Sequence, residues 1–121
     1  MSAITWTGMA VCGGLGAVAR YGVDSVITSR RQYVFPLGIA VVNLTGSFVL
    51  GVLIGLAVDS EVLFIAGTGF LGGYTTFSTW MIQTERLADD GRVGFAMLNW
   101  LGSMAAGLAA AGTGWALGAA F

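Results

Sequence analysis

Residues 69–80, GFLGGYTTFSTW, place a glycine pair and several hydroxyl side chains inside a long apolar stretch. Gly72 and Gly73 make a helix less stable at this point. Thr75 and Thr76, which follow after Tyr74, are β-branched and also disfavour a helix. A helix break at this point frees backbone carbonyls, which suit a hard cation. The alternative is an unbroken helix whose hydroxyls bond to carbonyls one turn earlier.

Uncharged donors follow the glycine pair. Phe77 and Trp80 are three residues apart and therefore share a helix face, with the hydroxyls of Ser78 and Thr79 beside them. Aromatic rings have an electropositive edge that can face an anion. Such groups suit a small, strongly hydrated anion that must be held and released.

Two further polar pairs lie in apolar surroundings. Asn43 and Ser47 are four residues apart, and Asn99 and Ser103 repeat that spacing. An amide in hydrocarbon is costly unless it is hydrogen-bonded. Asn43 therefore either bonds to another helix or lines a polar path.

Four apolar runs must position these groups, because they fill most of the 121-residue chain. They cover about residues 4–27, 37–58, 62–82 and 93–120, and each reaches the ~20 residues that cross a bilayer. Polar segments at 29–33, 59–61 and 84–92 separate them. We expect an all-α membrane protein with one four-helix domain over residues 1–121, whose third helix is broken near the midplane. No basic residue precedes the first run, so we expect this run to be a helix that is kept in the protein and not a cleaved signal peptide.

Charge predicts the orientation of the helices. All the arginines fall on one side of these runs, whereas the other side carries both termini and the loop with Asp59 and Glu61. Basic loops face the cytoplasm, so both termini are expected outside. The residues on the basic side are Arg20, Arg30, Arg31, Arg86 and Arg92.

Arg20 has two interpretations. It lies four residues before Asp24, so it could be a snorkelling side chain with a local partner. It could instead draw anions towards a pore mouth.

The chain lacks the residues that several classes of function require. The chain has no histidine and one cysteine, Cys12, so a transition-metal site and an internal disulfide are not expected. Hydrolytic triads and P-loops are missing too, and we expect neither an enzyme nor a nucleic-acid partner. A small multidrug transporter needs a carboxylate deep in a span, and none is present. A holin-like or assembly protein would not explain the interrupted third run.

Small residues recur every four positions in three runs, which lets helix backbones approach closely in lipid. These stripes exceed what a four-helix monomer needs, so an oligomer is expected. They are Gly8, Cys12 and Gly16; Ser47, Gly51 and Gly55; and Gly102, Ala106, Ala110, Gly114 and Gly118.

The chain resembles the small bacterial fluoride channels of the CrcB or Fluc family over almost its whole length. Four stretches carry the resemblance in the family's order: GGLGAVARY (13–21), PLGIAVVNLTGSF (36–48), GFLGGYTTFSTW (69–80) and LNWLGS (98–103). The resemblance implies a multi-pass protein of the bacterial plasma membrane that pairs antiparallel with a second subunit. It also implies passive export of fluoride, which relieves fluoride toxicity. From the donor types alone, a channel for another small anion such as chloride stays open.

The resemblance also assigns residues. It implies a structural sodium ion at the dimer centre, held by the backbone carbonyls of Gly72 and Thr75. It places the pore asparagine on Asn43 and the first phenylalanine of an aromatic box on Phe77. The candidate fluoride path is completed by Ser78, Thr79, Trp80, Ser103 and Arg20.

Two features depart from the family pattern. The second box phenylalanine is Trp80 here, a larger ring with an N–H donor that could narrow the path, change its contacts or be left unused. The arginine bias fixes one orientation, whereas an antiparallel homodimer must insert both ways. The second subunit is therefore either the same chain or, as we hypothesise, a paralogous chain of opposite orientation, and this chain alone would then be inactive.

Overall fold

The computed structural model describes residues 1–30 and 34–121, and all regular elements within these ranges are helical. The predicted all-α class is thus confirmed for the described residues. Arg31, which contributed to the predicted orientation, lies outside them. We label the helices α1 (Ala3–Arg30), α2 (Leu37–Gly55), α3 (residues 60–74), α4 (Ser78–Asp89) and α5 (Val93–Ala119).

Two helices contain π-helical turns, which are wider than α-helical turns. In α3 the π-helical part is Leu63–Leu71, followed by a short α-helical end at Gly72–Tyr74. In α5 it is Leu98–Gly102. Both lie beside the residues that the sequence marks for function.

The polar segments are more helical than the sequence predicts. Helix α1 continues to Arg30, and α4 continues through the supposed loop to Asp89. The reason is that polar residues form helical turns readily once a helix has started. The connection to α5 is a tight turn in which Gly91 has a φ of 77°, a conformation that favours glycine. The second run, in contrast, ends earlier than predicted, at Gly55.

Helices α2 and α5 form the most extensive contact among the described residues. Their backbones approach closely at predicted stripe glycines of both helices. A β-carbon built on Gly51 would lie 2.1 Å from the Ala111 carbonyl oxygen, and one on Gly114 would lie 2.2 Å from that of Phe48. This packing therefore requires glycine at both positions.

Helix α1 packs mainly on α3. Gly16 is buried, and a β-carbon there would lie 2.1 Å from the carbonyl oxygen of Phe70. Gly73 approaches Gly13 just as closely. Near the start of α1, the buried Thr5 donates a hydrogen bond to Glu61 Oε1 at 2.6 Å. The two helices are thus held together along their length.

The outside of the chain is apolar and the polar side chains Thr5 and Asn99 are buried. Ile4, Val18 and Leu108, for example, are each more than two thirds exposed, with values of 78%, 69% and 72%. Helices α2 and α5 are long and apolar enough to cross a membrane. This pattern is typical of a surface that faces lipid.

Candidate functional site

The chain between α3 and α4 belongs to neither helix at residues 75–77. Thr75 still donates its N–H to the Leu71 carbonyl, but its φ of −83° and ψ of 159° are extended. Helix α4 begins at Ser78. We call residues 75–77 the interruption. Its backbone groups need partners from elsewhere, because unpaired polar groups in apolar surroundings are costly.

Asn43 of α2 supplies two of these partners. Its Nδ2 donates to the Thr76 carbonyl at 2.9 Å, and its Oδ1 accepts from the Thr76 N–H, also at 2.9 Å. The side chain also faces the cavity described below. Asn43 therefore forms the long-range hydrogen bonds that one interpretation of the sequence expected, here to the chain between α3 and α4, and a role on a polar path stays a prediction.

The same contact changes the hydrogen bonding of Gly72. In a continuous α-helix the Gly72 carbonyl would accept from the N–H of Thr76, four residues later. That N–H is directed to Asn43 instead. Gly72 is exposed, and the nearest atom to a β-carbon built on it lies 3.9 Å away. Its carbonyl is thus both released from the helix and accessible.

Arg20 of α1 contacts the interruption from the other side. Its Nη1 donates to the Thr75 carbonyl at 3.1 Å. Gly16, one turn earlier on the same helix face, makes this reach possible because it brings α1 against the end of α3. Among the described residues Arg20 forms no ion pair with Asp24, whose carboxylate lies against Gly38 at the start of α2. In place of the local partner that one interpretation offered, Arg20 thus bonds a carbonyl of the interruption.

Thr76 caps the helix that follows the interruption. Its Oγ1 accepts from the backbone N–H of Thr79 at 3.3 Å, as an N-cap threonine does. The same hydroxyl donates to Thr79 Oγ1 at 3.2 Å and lies 3.4 Å from Ser78 Oγ. Since Thr76 donates to Thr79, the hydroxyl hydrogen of Thr79 is available for another acceptor.

The two aromatic side chains of α4's first turn pack together. The ring centroids of Phe77 and Trp80 are 5.7 Å apart with planes at 85°. Phe77 is 70% exposed. The Trp80 indole N–H donates to the Asn99 carbonyl of α5 at 2.7 Å. The two rings therefore differ in their freedom to meet a ligand.

An open cavity of about 490 Å³ lies between α2, α3, α4 and α5. Most of its wall is apolar. It brings together six of the sequence-predicted site residues, while Arg20, Ser78 and Thr79 lie outside its lining. The six are Asn43, Gly72, Thr75, Phe77, Trp80 and Ser103, and Ser47 from the polar pair of α2 lines the cavity as well.

Sequence reasoning treated Thr76 only as a β-branched residue at the break and Asn99 only as part of a polar pair, and it did not name Thr84. Thr76 bonds Asn43 and caps α4, and its position three residues before Thr79 was a capping signal. Asn99 is 1% exposed, and its Nδ2 donates to Thr84 Oγ1 at 2.8 Å. The spacing of Thr84 four residues after Trp80 was the available signal for a shared face.

Comparisons with known proteins agree with the resemblance. The family described as "CrcB-like protein, Camphor Resistance (CrcB)" matches residues 7–115. A protein of Mycobacterium tuberculosis (strain ATCC 25618 / H37Rv) named "Fluoride-specific ion channel FluC 2" is 46% identical over 106 residues, which are 88% of this chain and 84% of the relative.

Relatives from other bacteria give the same result. "Fluoride-specific ion channel FluC 1" of Leifsonia xyli subsp. xyli is 46% identical over 122 residues, covering 98% of this chain and 89% of its own. "Fluoride-specific ion channel FluC 2" of Moorella thermoacetica is 40% identical over 108 residues, covering 86% and 88%. With the apolar exterior and the two membrane-length helices, these matches show a membrane protein, and the chain belongs to the CrcB family of ion channels.

Proposed function

We propose that this chain forms a fluoride-selective channel that exports fluoride passively and so lowers its toxicity. The observation that carries the proposal is the interruption, pinned by Asn43 beside a cavity within an apolar chain. The relatives' names support fluoride as the permeating ion. The family's channel activity supports a transport role over an enzymatic one.

The donors near the interruption suit an anion that must pass without being trapped. The Nδ2 of Asn43 uses one hydrogen on Thr76 and retains a second. The hydroxyls of Ser78 and Thr79 and the exposed ring of Phe77 lie on the following turn. None of these groups carries a charge, so each contact is weak enough to release the ion.

A sodium ion is the second part of the proposal, and the released carbonyls support it. Gly72 has lost its helical donor to Asn43, and the extended Thr75 turns its carbonyl out of the helix. Two backbone oxygens of one chain leave most of a hard cation's coordination open, so a second subunit would complete the site. Arg20 already donates to Thr75, which leaves one lone pair of that oxygen for the ion.

An antiparallel dimer in the bacterial plasma membrane is the third part. The exposed apolar side chains and the open cavity support a second subunit. In this arrangement the interruption lies at the midplane, and both termini of this chain lie outside the cell. We favour a paralogous partner over a second copy, since Arg30, Arg86 and Arg92 bias the orientation. The relatives' numbers, from FluC 1 to FluC 3, support the existence of more than one such chain.

Reconstitution of the purified chain in liposomes tests the proposal. Fluoride release is followed with an ion-selective electrode, and chloride is the control. Rapid fluoride-selective efflux supports a homodimeric channel. If a well-folded sample gives efflux only after co-expression with a paralogue, the heterodimer is supported. Equal efflux of chloride and fluoride contradicts fluoride selectivity, and no efflux with either partner contradicts the channel.

A further inference from the structure

Trp80 stands where the family pattern has a phenylalanine, and both its indole N–H and its backbone carbonyl are hydrogen-bonded. Its indole N–H donates to the Asn99 carbonyl at 2.7 Å. Its own backbone carbonyl accepts from Thr84 Oγ1 at 2.9 Å and faces Asn99 Nδ2 at 3.4 Å. We call Trp80, Thr84 and Asn99 the indole frame.

The indole frame is closed on itself. Asn99 Nδ2 also donates to Thr84 Oγ1 at 2.8 Å, so all three members are linked to one another. Asn99 is almost fully buried, and it lies in the π-helical turns of α5. A buried polar network whose members satisfy one another is rigid, because breaking any bond leaves a group unpaired.

This arrangement decides what Trp80 can offer an anion. The indole N–H is its single strong donor, and an indole has no other. In this chain that donor is engaged by a carbonyl of α5. Phe77, in contrast, packs against the ring of Trp80 and is still 70% exposed.

From these contacts, and resting on the proposed fluoride transport, we infer that Trp80 is a positioning residue. It holds the first turn of α4 against α5 and supports the ring of Phe77. Its N–H does not bind the permeating anion. Phe77 is then the ring of the pair that meets fluoride, and the replacement of phenylalanine by tryptophan adds a link between helices without adding an ion ligand.

The indole N–H can be observed directly by NMR in detergent or nanodiscs. The chain has four tryptophans, and the Trp80→Phe variant assigns the Trp80 indole signal. We expect this proton to exchange with solvent more slowly than the other indole protons. We also expect its chemical shift to stay constant during a fluoride titration, with chloride as control. A saturable, fluoride-specific shift would overturn the inference.

The Thr84→Val variant tests whether the frame holds the ring. It is nearly isosteric, keeps Trp80 and removes the hydroxyl that links Asn99 to the Trp80 carbonyl. Faster exchange of the Trp80 indole proton in this variant supports the frame. Exchange as slow as in the wild type shows that the Thr84 hydroxyl does not help to hold the ring, and it overturns the frame as a closed unit.

Fluoride efflux separates positioning from ligation. Trp80→Phe removes the N–H and keeps an aromatic ring, so the fluoride concentration at half-maximal efflux should change less than about twofold. The thermal unfolding midpoint should fall, because the Asn99 carbonyl loses its partner. A clear rise in the half-maximal concentration with an unchanged midpoint contradicts the inference. A wild-type chain that gives no fluoride efflux, either alone or after co-expression with a paralogue, would contradict the proposed function. The exchange measurements would still show whether the indole frame holds Trp80.

Discussion

Asn43 is the residue on which the interruption depends most directly. A single side chain pairs with both backbone groups of Thr76 and thereby removes the helical donor of Gly72. Its polarity in an apolar run was visible in the sequence. Its partner was not, because the contact joins residues 33 positions apart and depends on how α2 packs against α3. The same holds for Arg20 and Thr75, whereas the pairing of Phe77 with Trp80 followed from their spacing.

Replacement of Asn43 by leucine should abolish fluoride efflux while the subunits remain assembled. The change leaves the N–H and the carbonyl of Thr76 without partners, at about 1–3 kcal/mol for each unsatisfied group. The interruption then loses its fixed geometry. Efflux from liposomes measures function, and size-exclusion chromatography measures assembly.

Two variants serve as controls for Asn43. Asn43→Asp keeps an acceptor for the Thr76 N–H but puts a second carboxylate oxygen where Nδ2 donates to the Thr76 carbonyl. The two oxygens repel each other, so this variant should also lose efflux. Ser47→Ala alters the same cavity wall without touching the interruption and should retain more. Normal efflux from Asn43→Leu would rule out a pore role for this residue.

At the scale of elements, close backbone contact between helices places the site. The repeated small residues predicted such contacts correctly for α2 with α5 and for α1 with α3. The sequence placed the helix ends less well, because an apolar run marks the part of a helix in lipid and not the polar turns that extend it. Helix α4, for example, continues seven residues past the predicted end at 82 to Asp89.

The Gly16→Ala variant should destabilise the protein by about 1–3 kcal/mol, the usual cost of overpacking. Its β-carbon would lie 2.1 Å from the Phe70 carbonyl oxygen and would push α1 away from the end of α3. Arg20 would then be displaced from Thr75, so efflux should fall as well. Thermal unfolding in detergent and liposome efflux measure the two effects.

Gly14→Ala is the matched control on the same helix. No atom lies within 4 Å of a β-carbon built on Gly14. The gain in helix propensity, up to about 1 kcal/mol, should leave the protein as stable as the wild type or more stable. Equal destabilisation by both variants would show that the contact at Gly16 is not the cause.

At the scale of the whole molecule, many apolar side chains face outwards. Composition and run lengths were sufficient to predict this arrangement, because a chain in lipid exposes far more apolar surface than other chains do. The relation to a second subunit could not be predicted in the same way. It depends on orientation in the membrane, which the arginines bias. Within residues 1–30 and 34–121, Arg20 is the arginine that contacts the site.

Reporters fused to either terminus should show both ends of this chain outside the cell. The basic side, which includes Arg86 and Arg92, is expected to stay in the cytoplasm. An alkaline phosphatase fusion reports the outside, and a green fluorescent protein fusion reports the inside. Equal signals from both reporters at one terminus would contradict the fixed orientation and would favour a homodimer. A variant with both arginines changed to serine should weaken the bias.

The pairing of Asn43 with Thr76 has a wider structural meaning. A carboxamide carries an acceptor and an N–H donor side by side, as the C=O and N–H of one residue in a β-strand are. Bonded to both backbone groups of Thr76, it acts as one residue of a neighbouring β-strand would. The protein thus contains a minimal β-bridge in which a side chain replaces the second strand. An extended segment can in this way be stabilised inside a helical membrane protein without a sheet edge exposed to lipid.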